Sequence, residues 1–176
     1  MDWRRRRQIR QLADRVRDAL KLEGPPYDVE LAVKLLNGTI VAPTDWLTEA
    51  LVRKNGESFI IEATKAASSE RQRFSIAHEL GHLFLHMGYL VDIDTWNSIN
   101  EYRDSPMYRR GHSEEEFEAN EFAAAFLMPE SDFRKVAEEH KVGCSYRTTD
   151  IAQKFGVSMP AAQNRGKWIG LFDWNS

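Results

Sequence analysis

Between Arg4 and Leu22 the apolar residues Ile9, Leu12, Ala13, Val16 and Leu20 recur every three or four positions, the period of one stripe on an α-helix. An amphipathic helix is predicted there, ended by "GPP" at 24 to 26. A second short helix follows over Val29 to Leu36, closed by Asn37 and Gly38. The pattern then becomes that of extended chain. "TIVAP" (39–43) and "SFIIEA" (58–63) read as strands, the latter entered through the turn "NGE" at 55 to 57. Ser68 or Ser69 caps the next helix, which carries "RFSIAHELGHLFLH" at 73 to 86. Ser113 and Glu116 form a capping box at the head of "SEEEFEANEFAAAFLMP" (113–129), which is mostly apolar from Phe117 until Pro129 stops it. The tail, "TTDIAQKFGVSMPAAQNRGKWIG", fits a helix, a tight turn at Gly156 and a second helix capped by Ser158 with Pro160 in its first turn. Together these elements predict an α+β fold, mostly helical, with a small sheet.

The polar residues that interrupt the apolar helix at 73 to 86 change the picture. Four residues bring a helix round to nearly the same side, so His78, His82 and His86 share a face, with Glu79 at its edge. Ile76, Ala77, Leu80, Leu83, Phe84 and Leu85 make the other sides apolar, which describes a buried helix. Buried imidazole nitrogens need partners, because an unpaired buried polar group costs roughly 1–3 kcal/mol. A metal ion satisfies two of them at once. His-Glu-x-x-His on a helix is the zinc-hydrolase pattern, in which the histidines ligate Zn²⁺ and the glutamate acts on the bound water. The competing reading is a purely structural histidine stripe. Gly81 weakens the helix by roughly 1 kcal/mol relative to alanine, which suits a place where another backbone or the metal site comes close. The strand at 58 to 63 lies just before this helix, and an open edge there would hold an extended peptide by strand addition.

A catalytic zinc usually takes three protein ligands and keeps one position for water. His86 is a poor third ligand, since positions i, i+4 and i+8 span about 12 Å of helix axis. It reads instead as a residue behind the ligands or at the helix end. The helix at 113 to 129 is the better source. Glu114 and Glu115 favour its dipole from the first turn. Glu116 and Asn120 share a face flanked by the small residues Ala119 and Ala123, whereas Glu118 aligns with Phe122 and Ala125. The phase favours Glu116 as the metal ligand, with Asn120 supporting a ligand histidine. A capping-box carboxylate alone fits Glu116 as well. Tyr89, Tyr102, Tyr108 and His112 are the candidates for stabilising an oxyanion.

Composition sets the frame for this chemistry. The chain has 176 residues, 42% of them apolar and 29% charged, enough for one domain with a core of its own. Its net charge of −3 argues against general nucleic-acid binding. Cys144 is the single cysteine, which excludes an internal disulfide and suits a reducing compartment. No apolar run is long enough for a membrane span, and "MDWRRRRQIR" is not followed by the apolar core of a secretory signal. A cytoplasmic protein is the expectation. The arginines of the first helix, Arg4, Arg5, Arg6, Arg7, Arg10, Arg15 and Arg17, read first as a solvated face and second as a surface for an anionic partner.

"RQRFSIAHELGHLFLH" followed by "EEEFEANEFAAAFLMP" resembles the ImmA/IrrE family of zinc metallopeptidases, with both motifs intact and in order. The resemblance covers about residues 26 to 170. It implies a zincin-like fold, Zn²⁺ as cofactor, and an intracellular endopeptidase that cleaves helix-turn-helix repressors of prophages, mobile elements or stress responses. Residue by residue, His78, His82 and Glu116 match the zinc ligands and Glu79 the catalytic glutamate. Residues 1–143 then form the metallopeptidase domain with its N-terminal helix, and 144–176 a helix-turn-helix-like segment packed on it. In that segment Gln163, Asn164, Arg165 and Lys167 are placed to reach a DNA groove. The acidic balance and short second helix favour packing or substrate docking, with Phe155 and Trp168 buried and Arg165 dispensable for stability. Two further readings follow from other classes. One is a DNA-binding or adaptor protein whose zinc is closed by a fourth ligand, His86 or His112. The other is an idle partner of a toxin–antitoxin pair, against which the intact Glu79 counts.

Overall fold

The computed structural model describes residues 1–43, 50–64, 67–99 and 113–173. Helix α1 (Trp3–Leu20) starts where the Asp2 carboxylate accepts the Arg5 N–H, and ends at Lys21 in the left-handed conformation. Helix α2 (Val29–Leu35) is capped by Asp28 in the same way. It closes through Asn37, whose φ is 61°, and the Gly38 N–H donates back to the Val33 carbonyl at 2.8 Å. Three strands follow, β1 (Thr39–Val41), β2 (Ala50–Asn55) and β3 (Ser58–Ala63). They pair in the order β1–β3–β2, with β1 parallel to β3 and β2 antiparallel to it.

One strand here has no sequence signal, and one sequence expectation changes. Strand β2 has no clear apolar alternation. It is held as a strand by Ala50 and Val52 facing the core, by Arg53 paired with Glu62 at 3.1 Å, and by Lys54 over the Trp96 ring. Because β2 and β1 flank β3, the strand before the histidine helix is central and has no open edge. Among the described residues, the edge strands of this sheet are β1 and β2.

Helix α3 (Ser69–Leu85), capped by Ser68, packs against the sheet and against α5 (Glu114–Leu127), capped by Ser113. In sequence, the short α4 (Ile93–Ser98) comes between them. An added Cβ on Gly81 would stand 2.9 Å from Ala119 Cα and 3.0 Å from its carbonyl oxygen. The glycine is thus where the two helix backbones touch. Pro129 stops α5 and opens α6 (Glu130–Glu139), followed by a two-stranded hairpin of β4 (Lys141–Val142) and β5 (Ser145–Tyr146). Helix α7 (Thr148–Phe155), a left-handed Gly156 and α8 (Met159–Trp168) are the last elements among the described residues. One core cluster joins Ile9, Phe59, Ile61, Leu80, Leu83, Phe122, Phe126, Phe133 and Phe155. No helix among the described residues is long and apolar enough to cross a membrane.

The arginines of α1 are not a solvated face. Arg5 pairs with Glu118, Arg6 and Arg10 pair with Glu121, and the buried Arg17 donates to the carbonyls of Ala125 and Phe126 at 2.8 and 3.1 Å. Arg4, Arg7 and Arg15 remain exposed. The physical reason is complementarity: α5 offers carboxylates and unpaired end carbonyls to the helix that covers it. The tail is corrected likewise. Phe155 is buried and stacked on Phe133, but Trp168 is 49% exposed, with the Arg6 guanidinium 3.8 Å over its ring. Arg165 is the buried residue, 3% exposed, donating to the Met128 carbonyl at 2.8 Å beside Glu121.

Candidate metal centre

The four-residue spacing on α3 brings the His78 and His82 rings within 4.7 Å, centre to centre. Ser113 sets the phase of the facing helix by accepting the Glu116 N–H, and Glu116 then points at both histidines. His78 Nε2 and His82 Nε2 stand 3.0 Å apart. Glu116 Oε2 lies 3.4 Å from the first and Oε1 3.1 Å from the second. Ligands bonded to one tetrahedral zinc at about 2.1 Å sit roughly 3.4 Å from each other. Every edge of this triangle is therefore of the size that one ion needs. His78, His82 and Glu116 form a possible metal-holding group, their ligating atoms all within 4.8 Å of one another. Two imidazoles and one carboxylate leave a position for water, as open zinc sites do.

Neighbouring groups orient these side chains. Asn120 Oδ1 accepts from His78 Nδ1 at 3.1 Å, so Nε2 is the nitrogen that the neutral ring would offer to a metal. Hydrogen bonds from His78 and His82 hold the Glu116 carboxyl well below its usual range. Burial pushes His78 down, but its hydrogen bond to Glu116 and the charge of Glu79 outweigh that and leave it raised. Glu79 is buried, 2% exposed, beside the first histidine and outside the ligand triangle. A scan against family models matches residues 50–167 to the IrrE N-terminal-like domain, Peptidase_M78.

The chain belongs to the Peptidase_M78 family. The matched span runs from the start of β2 into α8 and contains α3 and α5 with the whole triangle, whereas α1, α2 and β1 lie outside it. Among solved structures, that of a Mycobacterium tuberculosis transcriptional regulator is similar over 90% of this chain, at a TM-score of 0.61 and 16% identity. At that identity the likeness is one of fold. This chain covers 46% of the regulator's length. No curated protein sequence matches significantly.

His86 caps the end of α3 and does not join the triangle. Its Nδ1 lies 2.9 Å from His82 Nδ1 and its Nε2 3.3 Å from Glu118 Oε2. Burial, then the charge of His82, pushes it down to about 4. The closed site with His86 as fourth ligand is thus not formed, and His112 lies outside the described residues. Glu118, the rejected candidate, turns instead to Arg5, which donates to it from Nε and Nη2 at 2.6 and 2.5 Å. Tyr89 is a core residue: its hydroxyl donates to the Leu36 carbonyl at 2.7 Å and its ring packs edge-on against Phe59 and Trp96. It is removed from the oxyanion candidates, while Tyr102 and Tyr108 lie outside the described residues. A cleft of about 630 Å³ runs beside the centre between α3, α5 and α8, lined by Phe74, Phe117, Asn120, Ala124, Met128 and Trp168 among others.

Sequence reasoning missed Arg5. A signal was present in the complement between an arginine-rich helix and the acidic head of "EEEFEANE", but one-helix periodicity does not compare two helices.

Proposed function

We propose that this member of the Peptidase_M78 family is a zinc-dependent endopeptidase with a zincin-like core, acting on a cytoplasmic helix-turn-helix repressor of a prophage, mobile element or stress response. The observation that carries this reading is the His78–His82–Glu116 triangle with buried Glu79 beside it and outside it. His78 and His82 would hold the ion through Nε2 and Glu116 through its carboxylate oxygens. When bound, zinc supplies Lewis acidity, which makes water a competent nucleophile near neutral pH and polarises a carbonyl. Glu79, spared from ligation, takes the proton of the attacking water on its carboxylate and passes it to the leaving amine nitrogen. Asn120 keeps the His78 ring oriented throughout. Strand β2, an edge strand of the sheet, suits an extended peptide, and the cleft lined by Phe74, Phe117 and Asn120 suits apolar side chains.

We read residues 1–143 as the metallopeptidase domain and 144–176 as a helix-turn-helix-like segment packed on it. Burial of Arg165 and Phe155 supports packing over DNA contact. Kinship of fold with a transcriptional regulator supports a role in transcriptional control. The test is co-expression with helix-turn-helix regulators encoded beside the chain's own gene, followed by a gel. Wild type should cleave one of them, and Glu79→Gln should leave it intact while keeping its fold and metal. Equal cleavage by the variant would overturn the mechanism.

A further inference from the structure

Behind His82, on the side away from the triangle, lie His86, Glu118 and Arg5. A neutral imidazole that offers its Nε2 lone pair to a metal carries its proton on Nδ1. For His82 that proton faces His86 Nδ1 at 2.9 Å. Two ring nitrogens so close share one proton between them, so His86 must accept at Nδ1 and carry its own proton on Nε2. That nitrogen faces Glu118 Oε2 at 3.3 Å, which must accept as a carboxylate. Arg5, on α1, holds the carboxylate ionised with two donated bonds at 2.6 and 2.5 Å. With His82 Nε2 given to a metal, each link has one donor and one acceptor, and all agree on a single direction.

We propose that His86, Glu118 and Arg5 are positioning residues of the metal centre, a relay that fixes the tautomer and ring angle of His82. Through it α1, which lies outside the family match, sets metal affinity in α3. The proposal rests on the reading of His78, His82 and Glu116 as metal ligands. The competing explanation is that these contacts only dock α1.

The test uses the full chain, stripped of metal and titrated with Zn²⁺ against a chromophoric chelator, then with Co²⁺ for its visible absorption spectrum. His86→Leu and Glu118→Gln should weaken zinc binding about 10–100-fold, the usual effect of losing a partner behind a ligand. Arg5→Met should weaken it in the same direction. His86→Asn, whose amide oxygen takes the place of Nδ1, should recover part of the loss. The cobalt spectrum should shift in His86→Leu, and melts of the metal-free variants report whether each is folded. Lowered metal-free melting temperatures with wild-type zinc affinity and cobalt spectrum would overturn the relay and leave a docking contact. Failure of wild type itself to bind either metal would overturn the ligand reading, and the relay with it.

Discussion

Arginine is the residue whose letter says least about its place in this molecule. Arg4 and Arg7 are exposed, while Arg165 and Arg17 are buried on carbonyl oxygens. Arg165→Ala would leave the Met128 carbonyl without its donor and take one of three nearby cations from the buried Glu121, and should cost about 2–3 kcal/mol in urea unfolding. Arg4→Ala and Arg7→Ala should stay within about 0.5 kcal/mol of wild type. Equal effects would refute the burial argument. Burial, then the charge of Arg10, pushes Arg165 down to about 10 against the pull of Glu121, so it is still protonated at neutral pH. The histidines and Glu116 were legible because their meaning lies in spacing, which a helix converts directly into a shared face. Whether an arginine faces solvent or the next helix depends on what that helix presents, and no local period records it.

At the scale of elements, capping residues carried most of the information. Ser68, Ser113 and Ser158 start the helices that their sequence predicts, and Gly156 ends α7 in the left-handed conformation. Strand β2 escaped because its six residues hold two cations and face the core only at alternate small positions. The centrality of β3 escaped with it. Gly81 shows what an element-level anomaly means. Alanine would raise helix propensity by roughly 1 kcal/mol, yet its Cβ would press on the Ala119 backbone 2.9 Å away. Backbone cannot swing aside as a side chain can, so Gly81→Ala should lower stability by about 1–3 kcal/mol. It should also weaken zinc binding by moving Glu116 off the histidines. A Gly81→Ala protein more stable than wild type in the same urea titration would contradict the close crossing of α3 and α5.

For the whole molecule, the family domain at 50–167 shares its core with α1, which lies outside it. Helix α1 contributes Ile9, Ala13 and Val16 to the core and satisfies the end carbonyls of α5 through Arg17. A chain lacking residues 1–22 should therefore lose its cooperative thermal transition, as followed by circular dichroism. A sharp melt near that of wild type would show α1 to be an appendage. The net charge of −3 concealed this arrangement, because the arginines of α1 and the acids of α5 cancel inside the fold. The metal centre is the feature on which function depends most, and metal content per chain tests it most directly. Wild type and Glu79→Gln should each carry one zinc, while Glu116→Gln should lose most of it. Zinc-free wild type, or a full complement in Glu116→Gln, would contradict the centre built on His78, His82 and Glu116.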